Sequence, residues 1–135
     1  MKLHENKKLF KEAVRATAEQ KGILDIYVEK DYWVTYALYT IFNNDIGKET
    51  IFKGGTALSK CFGLIDRFSE DIDLVVRRDD SETDNQLKRK IKKVTTTVSD
   101  ILPEVEVPGV TRKFGMSRKT AHKYTKEFSD NYGQV

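Results

Sequence analysis

The chain has one cysteine, Cys61, in 135 residues, which excludes a disulfide framework and a thiolate metal cage. It has only two prolines, and no Pro/Gly linker, internal repeat or low-complexity tract interrupts it. One compact domain with a real core is expected from that length. No apolar run approaches the roughly 20 residues that cross a bilayer, so no membrane partner is expected. The opening MKLHENKKLFKEAV is charged and amphipathic and lacks a secretory apolar core, which points to a cytoplasmic location. With 39% hydrophobic and 33% charged residues, the composition is that of a globular chain rather than a disordered one.

The net charge of +3 is small but unevenly spread. Lys88 to Lys93 (KRKIKK) holds five basic residues in six, and Arg112 to Lys126 holds six Lys or Arg with no acid. Ser69 to Asp84 is rich in acid. Each basic run reads either as a solvated face or as a contact surface for a phosphate backbone, and charge alone leaves both open.

Leu9, Phe10, Ala13 and Val14 recur at helical spacing, Thr17 continues that face, and Gly22 is a C-terminal stop. A second helix is predicted over 28–42. Its Val28, Tyr32, Leu38 and Ile41, with Trp33 and Phe42, are too aromatic to face water. Glu29, Lys30 and Asp31 read as ordinary charges of a first turn. Ile51 and Phe52 form a short strand running into Gly54-Gly55, and 56–62 reads as a short helix. Residues 71–76 fit a second strand.

Leu87, Ile91, Val94, Val98 and Leu102 mark a long helix over 81–102, with Ser81 as N-cap and Pro103 as its end. Val105 and Val107 mark a strand, and 110–114 and 119–128 read as the arms of a hairpin turned at Gly115-Met116-Ser117. The expected fold is α+β, a small mixed sheet covered by helices. It divides into N-terminal helices (1–45), a motif region (50–78), and a helix with a β-hairpin (81–130).

Side chains at i and i+2 of a strand share a face, so Asp71 and Asp73 project together while Ile72 and Leu74 turn to the core. Two carboxylates held so close repel unless a cation neutralises them, and hard oxygens on a strand suit Mg²⁺ or Mn²⁺ completed by substrate phosphates. The glycines complement this. A bare Gly54-Gly55 corner ahead of a helix lets backbone N–H groups approach a phosphate, Thr56 adds a hydroxyl at the helix entry, and Lys60 lies about one turn on. A calcium loop is excluded because Val75 and Val76 stand where an acceptor and a glycine are required. Each half alone is weak, since most glycine pairs are only turns and D-x-D also occurs at sugar-nucleotide sites. In this order, with strand, turn, helix and strand around them, the two halves are far more specific.

The segment resembles the signature of the nucleotidyltransferase superfamily that includes DNA polymerase beta: a glycine pair, a spacer, then Asp-x-Asp. GGTALSK followed by RFSEDIDL, with EKDYWVTYAL ahead of the first strand, is similar more narrowly to the AbiEii/AbiGii toxin family. The likeness is good over about 25–80 and loose on the flanks. It implies that Asp71 and Asp73 ligate the catalytic metals and that Gly54, Gly55 and Thr56 hold the triphosphate. It also implies that Lys60, Arg67 and Ser69 are nearby phosphate or structural contacts. Members are toxins of toxin–antitoxin and abortive-infection systems, and some resemble enzymes that add nucleotides to tRNA. A third acid on a later strand and a C-terminal helical domain are expected of the family. Glu104 and Glu106 match that third acid poorly, and the helical domain is expected to lie outside these 135 residues.

The resulting expectation is a metal-dependent nucleotidyltransferase toxin that moves NMP from NTP to an acceptor such as tRNA, with an antitoxin as partner. The alternative is an incomplete remnant that binds nucleotide, RNA or a protein. RNA attraction is expected at Arg112, Lys113, Arg118, Lys119, Lys123 and Lys126.

Overall fold

A computed structural model of the chain describes residues 2–54 and 71–128, the side chain of Phe114 excepted. Its elements are α1 (Lys7–Lys21), α2 (Asp25–Phe42), β1 (Thr50–Lys53), β2 (Asp73–Val76), α3 (Asp84–Ser99), β3 (Glu104–Val105), β4 (Arg112–Phe114), β5 (Ser117–Lys119) and β6 (Ala121–His122). The α+β class is borne out. The described strands form three antiparallel pairs, β1–β2, β3–β6 and β4–β5, where a mixed sheet was expected. No helix among the described residues is long and apolar enough to cross a membrane.

Local chemistry explains the helix ends. The Asn6 side chain accepts from Leu9 N to open α1, and Gly22 closes it in the left-handed region at φ 66°. The buried face of α1 is Phe10, Val14 and Ala18, one position round from the predicted stripe, and Leu9 is exposed. In α2 the buried apolar positions are Ala37, Leu38 and Ile41, while Phe42 is exposed, against expectation. The N-cap of α3 is Thr83 and not Ser81: its hydroxyl accepts from Gln86 N, and the Gln86 side chain answers Thr83 N. That reciprocal pair satisfies two orphan donors at once, which a lone serine two residues earlier does not. The helix ends at Ser99, a turn short of the predicted end, yet Leu102 stays buried.

The hairpin also differs. Phe114 pairs with Ser117 across Gly115-Met116, with Gly115 at φ 67°, so the second arm is only Ser117–Lys119. Ala121–His122 turns away and pairs with Glu104–Val105, a long-range partner. Among the described residues, two apolar clusters hold the elements. Ala37, Ile41, Ile46, Val98 and Leu102 receive Ile72 and Leu74, so α2 and α3 together back the β2 strand. Phe10, Val14 and Phe128 form the second, with Ile26, Val28 and Tyr32 against it.

Candidate functional site

The register of the β1–β2 ladder sets the face on which the carboxylate strand presents its side chains. Thr50 pairs with Val76, Ile51 with Val75, Phe52 with Leu74 and Lys53 with Asp73. Directly opposed residues share a face, so Ile51, Lys53, Asp73 and Val75 lie together on the outer side. All four are exposed, whereas Ile72 and Leu74 pack on the core. Asp71 is exposed as well and stands just ahead of β2 rather than within it. The expected alternation of carboxylate and apolar residue therefore holds from 71 to 74.

Gly54 follows the last β1 residue and adopts φ 87°, a conformation that L side chains rarely take. A Cβ built there would meet Asp73 Oδ2 at 2.6 Å. The glycine corner and the second carboxylate, far apart in sequence, are thus in contact. Gly55, Thr56, Lys60, Arg67 and Ser69 lie outside the described residues.

The opposite end of the ladder is clasped by Lys90. Its ammonium donates to Glu49 Oε2 at 3.2 Å, to the Arg77 carbonyl at 3.0 Å and to Glu82 Oε1. The Arg77 N–H in turn donates to the Glu49 carbonyl at 2.6 Å, continuing the ladder past Val76. The Lys90 hydrogen bond holds the Glu82 carboxyl below the usual carboxylate range, and the same bond raises the Lys90 ammonium. Lys90 belongs to the KRKIKK run, so one of those five charges is spent on holding β2 and is no part of an open basic face.

Glu29 is the residue that sequence reasoning missed. It is 1% exposed, and its Oε2 accepts from Glu127 N at 2.7 Å. Burial is the main cause pushing its carboxyl up, against the backbone bonds from Glu127 and Phe128 that favour the anion. Lys7 and Lys11 reach the Glu127 carboxylate, and the Arg15 guanidinium sits over the Phe128 ring. The reading of Glu29 as an ordinary first-turn charge is therefore corrected. No local pattern carries the signal, because what buries it is the distant segment around Phe128.

Of the two glutamates weighed as a third acid, Glu104 is half-buried on β3 and its Oε2 receives Lys113 Nζ at 2.6 Å. That bond keeps its carboxyl below the usual range. Glu106 is exposed and lies beyond β3. Among the described residues no group of three or more His, Cys, Asp or Glu assembles around one point. Asp71 and Asp73 remain as a pair of hard oxygen donors, which fits Mg²⁺ or Mn²⁺, since such ions take one or two protein carboxylates and complete their shell with phosphates.

Of the basic tail, Lys113 and Arg118 line a groove beside α3. Arg112 and Lys119 are directly opposed on the hairpin and are not among that groove's lining residues, and Lys123 and Lys126 follow beyond β6.

Comparison with family models places the chain among the nucleotidyl transferases. The match is to the family described as nucleotidyl transferase AbiEii toxin, Type IV TA system, over residues 36–135, and the chain belongs to that family. The match begins within EKDYWVTYAL and runs well past 80, so the C-terminal flank is more family-like than its wording suggested. Comparison with curated proteins and with solved structures gives no match.

Proposed function

We propose that the chain binds an NTP at the glycine corner and transfers its NMP to an acceptor hydroxyl, such as that of a tRNA, with a divalent cation. The observation that carries this is the contact between Gly54 and Asp73, within a chain of the AbiEii family. Asp71 and Asp73 would hold Mg²⁺ or Mn²⁺, which when bound neutralises phosphate charge and activates a hydroxyl. Gly54 keeps the corner free of a side chain, so phosphate oxygens approach the backbone beside the carboxylates. Lys53, opposite Asp73 on the same face, adds a cation at the edge where the phosphates would lie. Ile72 and Leu74, locked against the core, hold both carboxylates in place. Gly55, Thr56, Lys60 and Ser69 are proposed to complete the phosphate cradle, and an antitoxin is the proposed protein partner. Calorimetric titration with NTP tests the reading: binding is expected with Mg²⁺ and lost in EDTA, and equal affinity in both would overturn it.

A second reading draws on Glu104. Its Oε2 is engaged by Lys113, and that bond holds its carboxyl low, which weakens it as a proton acceptor. That favours a module that binds nucleotide, RNA or a partner with little turnover. Transfer of labelled nucleotide to bulk tRNA separates the two readings.

A further inference from the structure

The two basic runs that stand apart in sequence meet in the fold. α3 packs against β2 and also against β5. A groove between α3 and the β4–β5 hairpin is lined by Lys88, Ile91, Lys113, Gly115, Ser117 and Arg118. Three of the six are cations and none is an acid. Glu104 is ion-paired with Lys113 at 2.6 Å, and its charge also feels Arg118. Lys88 is exposed on the α3 side and has no ion-pair partner among the described residues. Arg118 keeps its Nε buried with no hydrogen-bond partner.

The chemistry of the lining selects the ligand. The centre of a protein–protein interface is typically depleted of lysine and enriched in aromatics, with charge towards the rim. Here the only large apolar liner among the described residues is Ile91, and three of the six liners are cations. Gly115 and Ser117 add little bulk and offer backbone and hydroxyl donors, groups suited to phosphate oxygens. Polar, strongly positive surfaces of this kind are those of nucleic-acid interfaces.

We infer that this groove binds the phosphodiester backbone of a single nucleic-acid strand. Calling that strand the acceptor rests on the transferase reading; the binding itself does not. α3 would then serve both ends of the reaction, since the helix whose Lys88 meets the strand also backs the carboxylate-bearing β2 through Val98.

The test is fluorescence anisotropy of the full chain with labelled oligouridylate and oligothymidylate of about 12 nucleotides, in EDTA and without NTP. Lys88→Glu is expected to weaken binding at least about fivefold near ~50 mM salt and to flatten the salt slope by about 0.7. Arg118→Gln should act in the same direction, and Lys21→Glu, an equal charge change on exposed α1, should leave binding unaltered. Loss of either oligonucleotide in Lys88→Glu supports the site. Equal weakening by Lys21→Glu, or affinity flat in salt, would overturn it. So would polyglutamate binding tightly in competition and being lost in Lys88→Glu, which would assign the groove to an acidic protein. Mg²⁺-dependent NTP binding that persists in Lys88→Glu separates a failure here from a failure of the carboxylate site.

Discussion

Gly54 and Asp73 are in contact: a Cβ on the glycine would lie 2.6 Å from Asp73 Oδ2 and 3.3 Å from Asp73 Cβ. The antiparallel register sets Lys53 opposite Asp73, so Gly54, the next residue, lies beside the carboxylate, and its left-handed φ of 87° breaks the strand's alternation there. The left-handed backbone favours glycine here on its own account, and any Cβ would in addition push the Asp73 side chain, proposed to bind metal, out of its place.

Gly54→Ala is accordingly expected to cost stability and nucleotide together. An L side chain in the left-handed region costs about 1–2 kcal/mol, and displacing Asp73 adds to that. Thermal melting should register the loss, and NTP binding should weaken beyond it. In an Asp73→Gly background the 2.6 Å clash is absent, so the same substitution should cost less. An identical cost in both backgrounds would mean that the contact contributes nothing.

Glu29 makes a pH-dependent contribution whose sign follows from its burial. Its folded carboxyl titrates above the ordinary value near 4.5, so the folded state holds that proton more tightly than the unfolded chain. The contribution is complete below about 4.5 and is lost as pH rises through the raised folded value. Glu82 and Glu104, both lowered, work in the opposite direction, so the wild-type curve alone mixes these terms. Glu29→Gln isolates the effect: it keeps an acceptor for Glu127 N without a buried charge. Its melting temperature should gain on the wild type between pH 4.5 and neutral. Glu29→Ala should instead cost roughly 1–3 kcal/mol by orphaning the Glu127 donor. A gap between Gln variant and wild type that stays constant with pH would refute the assignment.

Lys90→Met should loosen the far end of the β1–β2 ladder, since Glu49, Glu82 and the Arg77 carbonyl all lose one shared donor. Hydrogen exchange is the measurement, with faster exchange expected at the Arg77 amide. Lys92→Met, an exposed neighbour in the same run, should leave that amide protected. Equal exchange in the two variants would show that Lys90 is only another surface charge.

Legibility tracked the range of the interactions. Both N-terminal helices and the alternation from Asp71 to Leu74 were readable because their causes are local: a glycine stop, helical periodicity and a strand's two faces. Thr83 was readable too, since Thr-Asp-Asn-Gln carries the spacing of a capping box, whereas Ser81 has Asp84 and no Glu or Gln three residues on. The β3–β6 pairing and the burial of Glu29 were not readable. Each depends on a segment far along the chain, Ala121–His122 in one case and Glu127–Phe128 in the other. The groove fell between the two. Its basic runs were visible, but only the packing of α3 on β5 joins them, and the Lys90 clasp removes one charge that the sequence counted as surface.

The last prediction separates the carboxylates that serve the proposed site from those that serve the fold. Asp71 and Asp73 are both exposed, and Ile72 and Leu74, which alternate with them, pack on the core. Glu104 is bonded to Lys113 and stands opposite His122 on β6, whose Nδ1 meets the Leu102 carbonyl at 3.0 Å. Its Oε2 is held by that hairpin lysine, while its Oε1 is buried with no hydrogen-bond partner among the described residues. Asp71→Asn and Asp73→Asn should therefore each remove Mg²⁺-dependent NTP binding with little change in melting temperature, because neither side chain is buried. Glu104→Gln should do the reverse: lower the melting temperature by freeing the Lys113 contact and leave NTP affinity unaltered. Glu106→Gln should change neither. Calorimetry and thermal melting on the four variants give the full pattern. Loss of NTP binding in Glu104→Gln with unchanged melting would place Glu104 in the site and reverse its assignment to the fold.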